Sequence, residues 1–76
     1  MLPSQCRMAR AALEIGVRDL AEMAKVSTNT ITRFEKGELL KERTVDDIRA
    51  ALESAGVLFI DQNGNGPGVR LRERQE

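Results

Sequence analysis

A mainly α fold, four helices followed by a short C-terminal β-hairpin, is predicted by three features of this 76-residue sequence. Apolar residues recur at helical spacing through the first 55 positions. Gly16, Gly37 and Gly56 interrupt that pattern where helices would start or stop. The run Val57-Leu58-Phe59-Ile60 then favours a strand, and the turn-forming Asn63-Gly64 and Asn65-Gly66 pairs separate it from a second extended stretch at Gly68 to Arg72.

The first helix is expected at 3–14. Pro3 suits an opening turn, where its missing donor is not needed, and the segment after it is rich in Ala, Met, Arg and Leu. Cys6, Ala9 and Leu13 form the inward stripe, widened by Met8, Ala12 and Ile15, with Arg7 and Arg10 beside it. Met8 and Met23 read as gap-fillers of the core. A second helix, 17–24, follows Gly16 and points Leu20, Ala21 and Ala24 inward. Ser27 is a good N-cap for a third helix at 28–36, and Gly37 supplies its left-handed stop.

Glu38 to Arg43 reads as a loop. Thr44 with Asp47 resembles a capping box for a fourth helix at 45–55, burying Val45, Ile48, Ala51, Leu52 and Ala55, with Asp46 and Asp47 as first-turn acids favoured by the helix dipole. The organisation expected is one helical unit at 1–56, a hairpin at 57–72 that packs on the fourth helix or pairs with another subunit, and a frayed tail at 73–76. Val57, Leu58, Phe59, Ile60, Val69 and Leu71 are the candidates for a subunit interface.

Composition narrows the function. Twelve cations balance twelve acids, and a pI near 6.3 describes no generally basic chain. Residues 1–36 nevertheless carry a local surplus of two cations, offset by the remainder. With no His and one Cys, a Ser/His dyad, a His-based zinc site and an intrachain disulfide are all excluded, and Cys6 suits a reducing cytoplasm as a small core residue. No acids cluster as they would in a catalytic pocket, so the chain does not read as an enzyme, and no cofactor or metal is implied. No apolar run approaches the ~18 residues of a membrane span. Phe34 and Phe59 are the only aromatics, too few for the stacking platforms of single-strand binders. The Gly64, Gly66, Gly68 cluster is turn chemistry, since it lacks the Lys-Ser/Thr pair of a phosphate loop.

The third helix has an unusual polar side. Opposite Ile31 and Phe34, residues Thr28, Asn29, Thr32, Arg33 and Lys36 fall within an arc of roughly 140° that holds short hydrogen-bonding groups and cations. Together with the second helix and the turn between them it forms a bihelical unit. Leu20, Ala21, Val26, Ile31 and Phe34 occupy the positions that lock a helix-turn-helix crossing.

Through Leu20-Ala21-Glu22, Val26-Ser27, Thr30-Ile31 and Phe34-Glu35-Lys36-Gly37, the sequence resembles the phage repressor and Cro (XRE-type) family of DNA-binding domains over residues 4–55. The resemblance implies a repressor-like helix-turn-helix domain whose third helix enters the major groove of double-stranded DNA. It brings Ser27, Thr28, Asn29, Thr32 and Arg33 to the bases, and Arg18, Lys36, Lys41 and Arg43 to the backbone. By chemistry, Arg33 suits the guanine O6/N7 edge and Asn29 the adenine N6/N7 edge. The family analogy also implies a structural pair between Arg10 and Glu35. Gly16 and Val17 replace the family's usual Ser/Thr and Gln, removing one phosphate contact, and Lys25 takes the turn position usually held by Gly, where positive φ costs roughly 1 kcal/mol. The function expected is a transcription regulator acting as a homodimer on a pseudo-palindrome. The alternative is a protein-interaction module on the same fold, an anti-activator or antitoxin with a protein partner.

Overall fold

The computed structural model describes residues 1–61 and 64–73. Its elements are α1 (Pro3–Leu13), α2 (Val17–Ala24), α3 (Thr28–Glu35), α4 (Glu42–Ser54), β1 (Val57–Ile60) and β2 (Gly68–Leu71). The mainly α class with a C-terminal hairpin is therefore the observed one.

Local chemistry accounts for most of the helix ends. Pro3 opens α1, and Gln5 Oε1 accepts from the Leu2 N–H at 2.8 Å, satisfying a donor the helix itself leaves unpaired. Asp19 does the same at α2, accepting from the Gly16 N–H at 2.9 Å. At α3 the Ser27 hydroxyl accepts from the Thr30 N–H at 3.1 Å. Two non-glycine residues, Glu14 (φ 57°) and Lys25 (φ 58°), take left-handed conformations to end α1 and α2.

α4 departs from expectation. It begins at Glu42, three residues early, because the Lys41 carbonyl accepts from Thr44 and Val45 at 3.0 and 3.1 Å and so takes the cap position. Thr44 then lies inside the first turn, and its capping box with Asp47 does not form. Glu42, not Asp46 or Asp47, supplies the first-turn acid. Leu40 already packs against the core before the helix starts, which turns the chain inward ahead of Thr44. Ala55, expected inside, is exposed as the residue that ends the helix.

One core joins all four helices and the hairpin: Cys6 and Ala9; Leu20, Ala21 and Ala24; Ile31 and Phe34; Ile48 and Leu52; and Val57. Met8 and Met23 are not in it, being 36% and 40% exposed. At 100° per residue they lie roughly 130° and 110° around their helices from the buried stripes, too far to reach inward.

β1 and β2 pair antiparallel with Val57 opposite Leu71 and Phe59 opposite Val69. These four residues share one face, and that face is turned to the core. Val57 is buried within its own chain, so its side chain has nothing to offer a partner; of the six expected interface residues only Leu58 and Ile60 lie on the outward face. α1 packs on β2 and α4 on β1, where Arg49 sits 5.0 Å from the Phe59 ring centroid. Gln5 fastens the turn end of the hairpin, its Nε2 donating to the carbonyls of Ile60 and Gly68 at 3.0 and 3.1 Å. Gly64 and Gly66 have positive φ, as the turn requires. Asn63 of the expected Asn63-Gly64 turn, and Arg74 to Glu76 of the expected frayed tail, lie outside the described residues. Among the described residues no helix is long and apolar enough to cross a membrane.

Candidate nucleic-acid interface

α2, the turn Lys25-Val26-Ser27 and α3 set the geometry of the polar arc. Ala21, 3% exposed, presents only a methyl group at the crossing and lets α3 approach, while Ile31 and Phe34 fill the space behind it. The Val26 N–H bonds the Ala21 carbonyl at 3.0 Å, closing the turn. With one side of α3 buried this way, Thr28, Asn29, Arg33 and Lys36 are left exposed and Thr32 half-buried.

The side chains on that arc are not equivalent. Asn29 has no hydrogen-bond partner among the described residues, so its amide is open to a ligand. Thr32 Oγ1 donates to the Thr28 carbonyl at 3.1 Å, leaving its methyl and its lone pairs outward. Ser27 is occupied as the cap and also bonds the Thr30 hydroxyl at 2.8 Å, so its first role is structural. Arg33 is held by Glu38, with Nε to Oε2 at 2.9 Å and Nη2 to Oε1 at 2.8 Å. The hydrogen bond and the charge of Glu38 raise the Arg33 pKa, and those of Arg33 lower that of Glu38.

Beneath the arc a buried network ties α3 to α1. Glu35, with 8% of its side chain exposed, accepts from Arg10 Nε at 2.6 Å and Nη2 at 2.7 Å, and from the Cys6 thiol at 3.2 Å. Burial opposes ionisation of Glu35, but the hydrogen bonds from Arg10 and Cys6 and the charges of Arg10 and Arg7 outweigh it and hold the carboxyl below its ordinary value. Burial first, then the bond to Glu35, push the Cys6 thiol up to about 12. Arg7 donates through Nη1 to the Glu35 carbonyl, satisfying one of the acceptors that the end of α3 leaves open. Arg10 Nη1 also reaches the Ile15 carbonyl at 3.5 Å.

The four backbone candidates are all exposed and make no ion pair among the described residues. Arg18 lies in the first turn of α2, Lys36 ends α3, Lys41 caps α4 and Arg43 lies in the first turn of α4. Three roles were not expected from the sequence: Gln5 as the hairpin clamp, Arg7 as a cap on α3, and Glu38 as the partner of Arg33. Glu38 did carry a signal, because the residue after a helix-stopping glycine folds back onto the last turn.

No protein-family model and no curated protein matches this chain.

Proposed function

We propose that this protein is a sequence-specific double-stranded-DNA-binding transcription regulator of a reducing cytoplasm, acting as a homodimer with α3 in the major groove. The observation that carries this reading is the arc of exposed Thr28, Asn29 and Arg33 with half-buried Thr32 on the second helix of a tightly locked bihelical unit. Asn29 and Arg33 have the donor and acceptor patterns that discriminate adenine and guanine, and Thr28 and Thr32 suit a thymine methyl or a phosphate. Arg18, Lys36, Lys41 and Arg43 are exposed cations available to phosphates. With no net charge to supply general affinity, two half-sites bound together, with recognition helices about 34 Å apart, give the required strength.

Selection of bound sequences from a random duplex pool at controlled salt tests the proposal. A symmetric consensus supports both DNA reading and the dimer. The competing reading, a protein-interaction module on the same fold, is favoured by the zero net charge and by the neutralisation of Arg33 by Glu38. Recovery of no motif refutes DNA reading and leaves that module standing.

A further inference from the structure

The stop of α3 delivers an acid to the helix's own polar arc. Gly37 adopts φ 96°, and the chain folds back so that the Gly37 N–H donates to the Phe34 carbonyl at 2.9 Å and the Glu38 N–H to the Arg33 carbonyl at 3.1 Å. These are the paired bonds of a left-handed glycine stop. The Glu38 backbone is thus fastened to the residue whose side chain its carboxylate grips. Main-chain and side-chain bonds reinforce one another, and the short loop between them leaves the carboxylate little freedom to leave.

The grip takes one edge of the guanidinium. Glu38 occupies Nε and one proton of Nη2. The protons of Nη1 and the second proton of Nη2 remain, and together they form the end-on fork that fits guanine O6 and N7. About half of each side chain is exposed, 45% for Arg33 and 50% for Glu38, so the fork opens to solvent. An arginine released from such a grip has a long, rotamer-rich stem and is drawn to the nearest phosphate, which carries no sequence information. A held arginine keeps its aim. The carboxylate that holds it also repels the phosphates, so overall affinity falls as selectivity rises.

We propose that Glu38 is a positioning residue for base selectivity: it clamps the side edge of Arg33 so that the free end reads guanine. The proposal rests on the DNA-binding reading above. Its test uses the full chain and its selected duplex, with wild type, Arg33→Ala, Glu38→Ala, Glu38→Gln and the Arg33→Ala/Glu38→Ala double variant. Each is measured on the consensus and on a duplex with adenine in place of the guanine facing α3, over a range of salt. Glu38 is exposed, and equal thermal melts check that its variants remain folded.

Wild type is expected to prefer guanine by about tenfold to a hundredfold, as a bidentate arginine contact does. Glu38→Ala lowers that preference about threefold to tenfold, tightens binding to non-consensus duplex, and steepens the slope of log K against log salt by up to about 0.9 as the Arg33 charge is released to a phosphate. Glu38→Gln, which keeps one acceptor, falls between. In the Arg33→Ala background, removing Glu38 changes the preference no further. A Glu38→Ala variant that binds every duplex more tightly with its guanine preference intact overturns the proposal, because Glu38 is then only an opposing charge. An unchanged preference in Arg33→Ala overturns it as well. Absence of selective duplex binding by wild type overturns the DNA reading itself, and is seen before any variant is made.

Discussion

Arg10→Ala removes both of the hydrogen bonds that Arg10 gives the Glu35 carboxylate and leaves that carboxylate with only the Cys6 thiol, in a site where 8% of its side chain meets solvent. Breaking a buried ion pair from one side costs about 3–5 kcal/mol, because the remaining charge is uncompensated. Arg10 itself keeps 22% exposure, so water reaches part of the vacated space and screens the loss to about 2–4 kcal/mol. A domain of this length has about 4–11 kcal/mol in all, so the variant is expected to retain a folded state with a thermal midpoint lower by about 10–30 °C. Urea titration, followed by circular dichroism, measures the loss.

The pH dependence gives a second, independent arm. In wild type the folded-state pKa of Glu35 is depressed, so its contribution is present above the ordinary carboxylate value and is lost as pH falls through the folded value. Without Arg10, burial of Glu35 dominates and raises its folded-state pKa above the unfolded one, so acid protonates the folded variant first and relieves it. The difference between the two proteins should therefore narrow as pH falls through the ordinary carboxylate range and on through the lowered folded value of Glu35. A loss below about 1 kcal/mol, or a gap that does not shrink in acid, refutes the reasoning. Replacing both partners by apolar residues, Arg10→Met with Glu35→Leu, should cost less than Arg10→Ala alone, since no charge is then stranded.

Gln5→Ala removes the two bonds that clamp Ile60 and Gly68 and the acceptor for Leu2, for a loss of about 2 kcal/mol and faster hydrogen exchange in β1 and β2 than in α2 and α3; exchange that rises equally everywhere contradicts a clamp. The fully buried Cys6, with its thiol pushed up to about 12, should resist alkylation in the native protein at pH 8 and react once urea unfolds it, so mass spectrometry of the alkylated chain reports the unfolded fraction. Lys36→Ala should weaken binding to all duplexes alike and reduce the salt slope by about 0.9, whereas Asn29→Ala should relax preference at one base pair; interchange of these effects would contradict the assignment of Lys36 to a phosphate and Asn29 to a base.

Much of this protein was legible in local sequence. Helix spacing, the Ser27 cap, the Gly37 stop and the turn glycines are properties of a few adjacent residues, so the four helices, the hairpin and the division of α3 into apolar and polar sides could be read without tertiary information. The start of α4 could not. Thr44 and Asp47 offer a plausible cap, but the packing of Leu40 and the acceptor geometry of the Lys41 carbonyl decide where the helix begins.

The polar face of α3 was written in its own periodicity, since 100° per residue fixes which side chains share an arc. What each of them is free to do was decided by neighbours within five residues, Glu38 for Arg33 and the Thr28 carbonyl for Thr32, whereas contacts from elsewhere in the chain decide what is buried beneath the arc. Arg7 and Arg10 come from α1, Gln5 bonds carbonyls 55 and 63 residues away, and Val57 turns into the core because α1 and α4 cover that face of the hairpin. Periodicity specifies directions around one element, while burial, pairing and charge compensation depend on which element arrives opposite, and the sequence of a single helix carries no record of that.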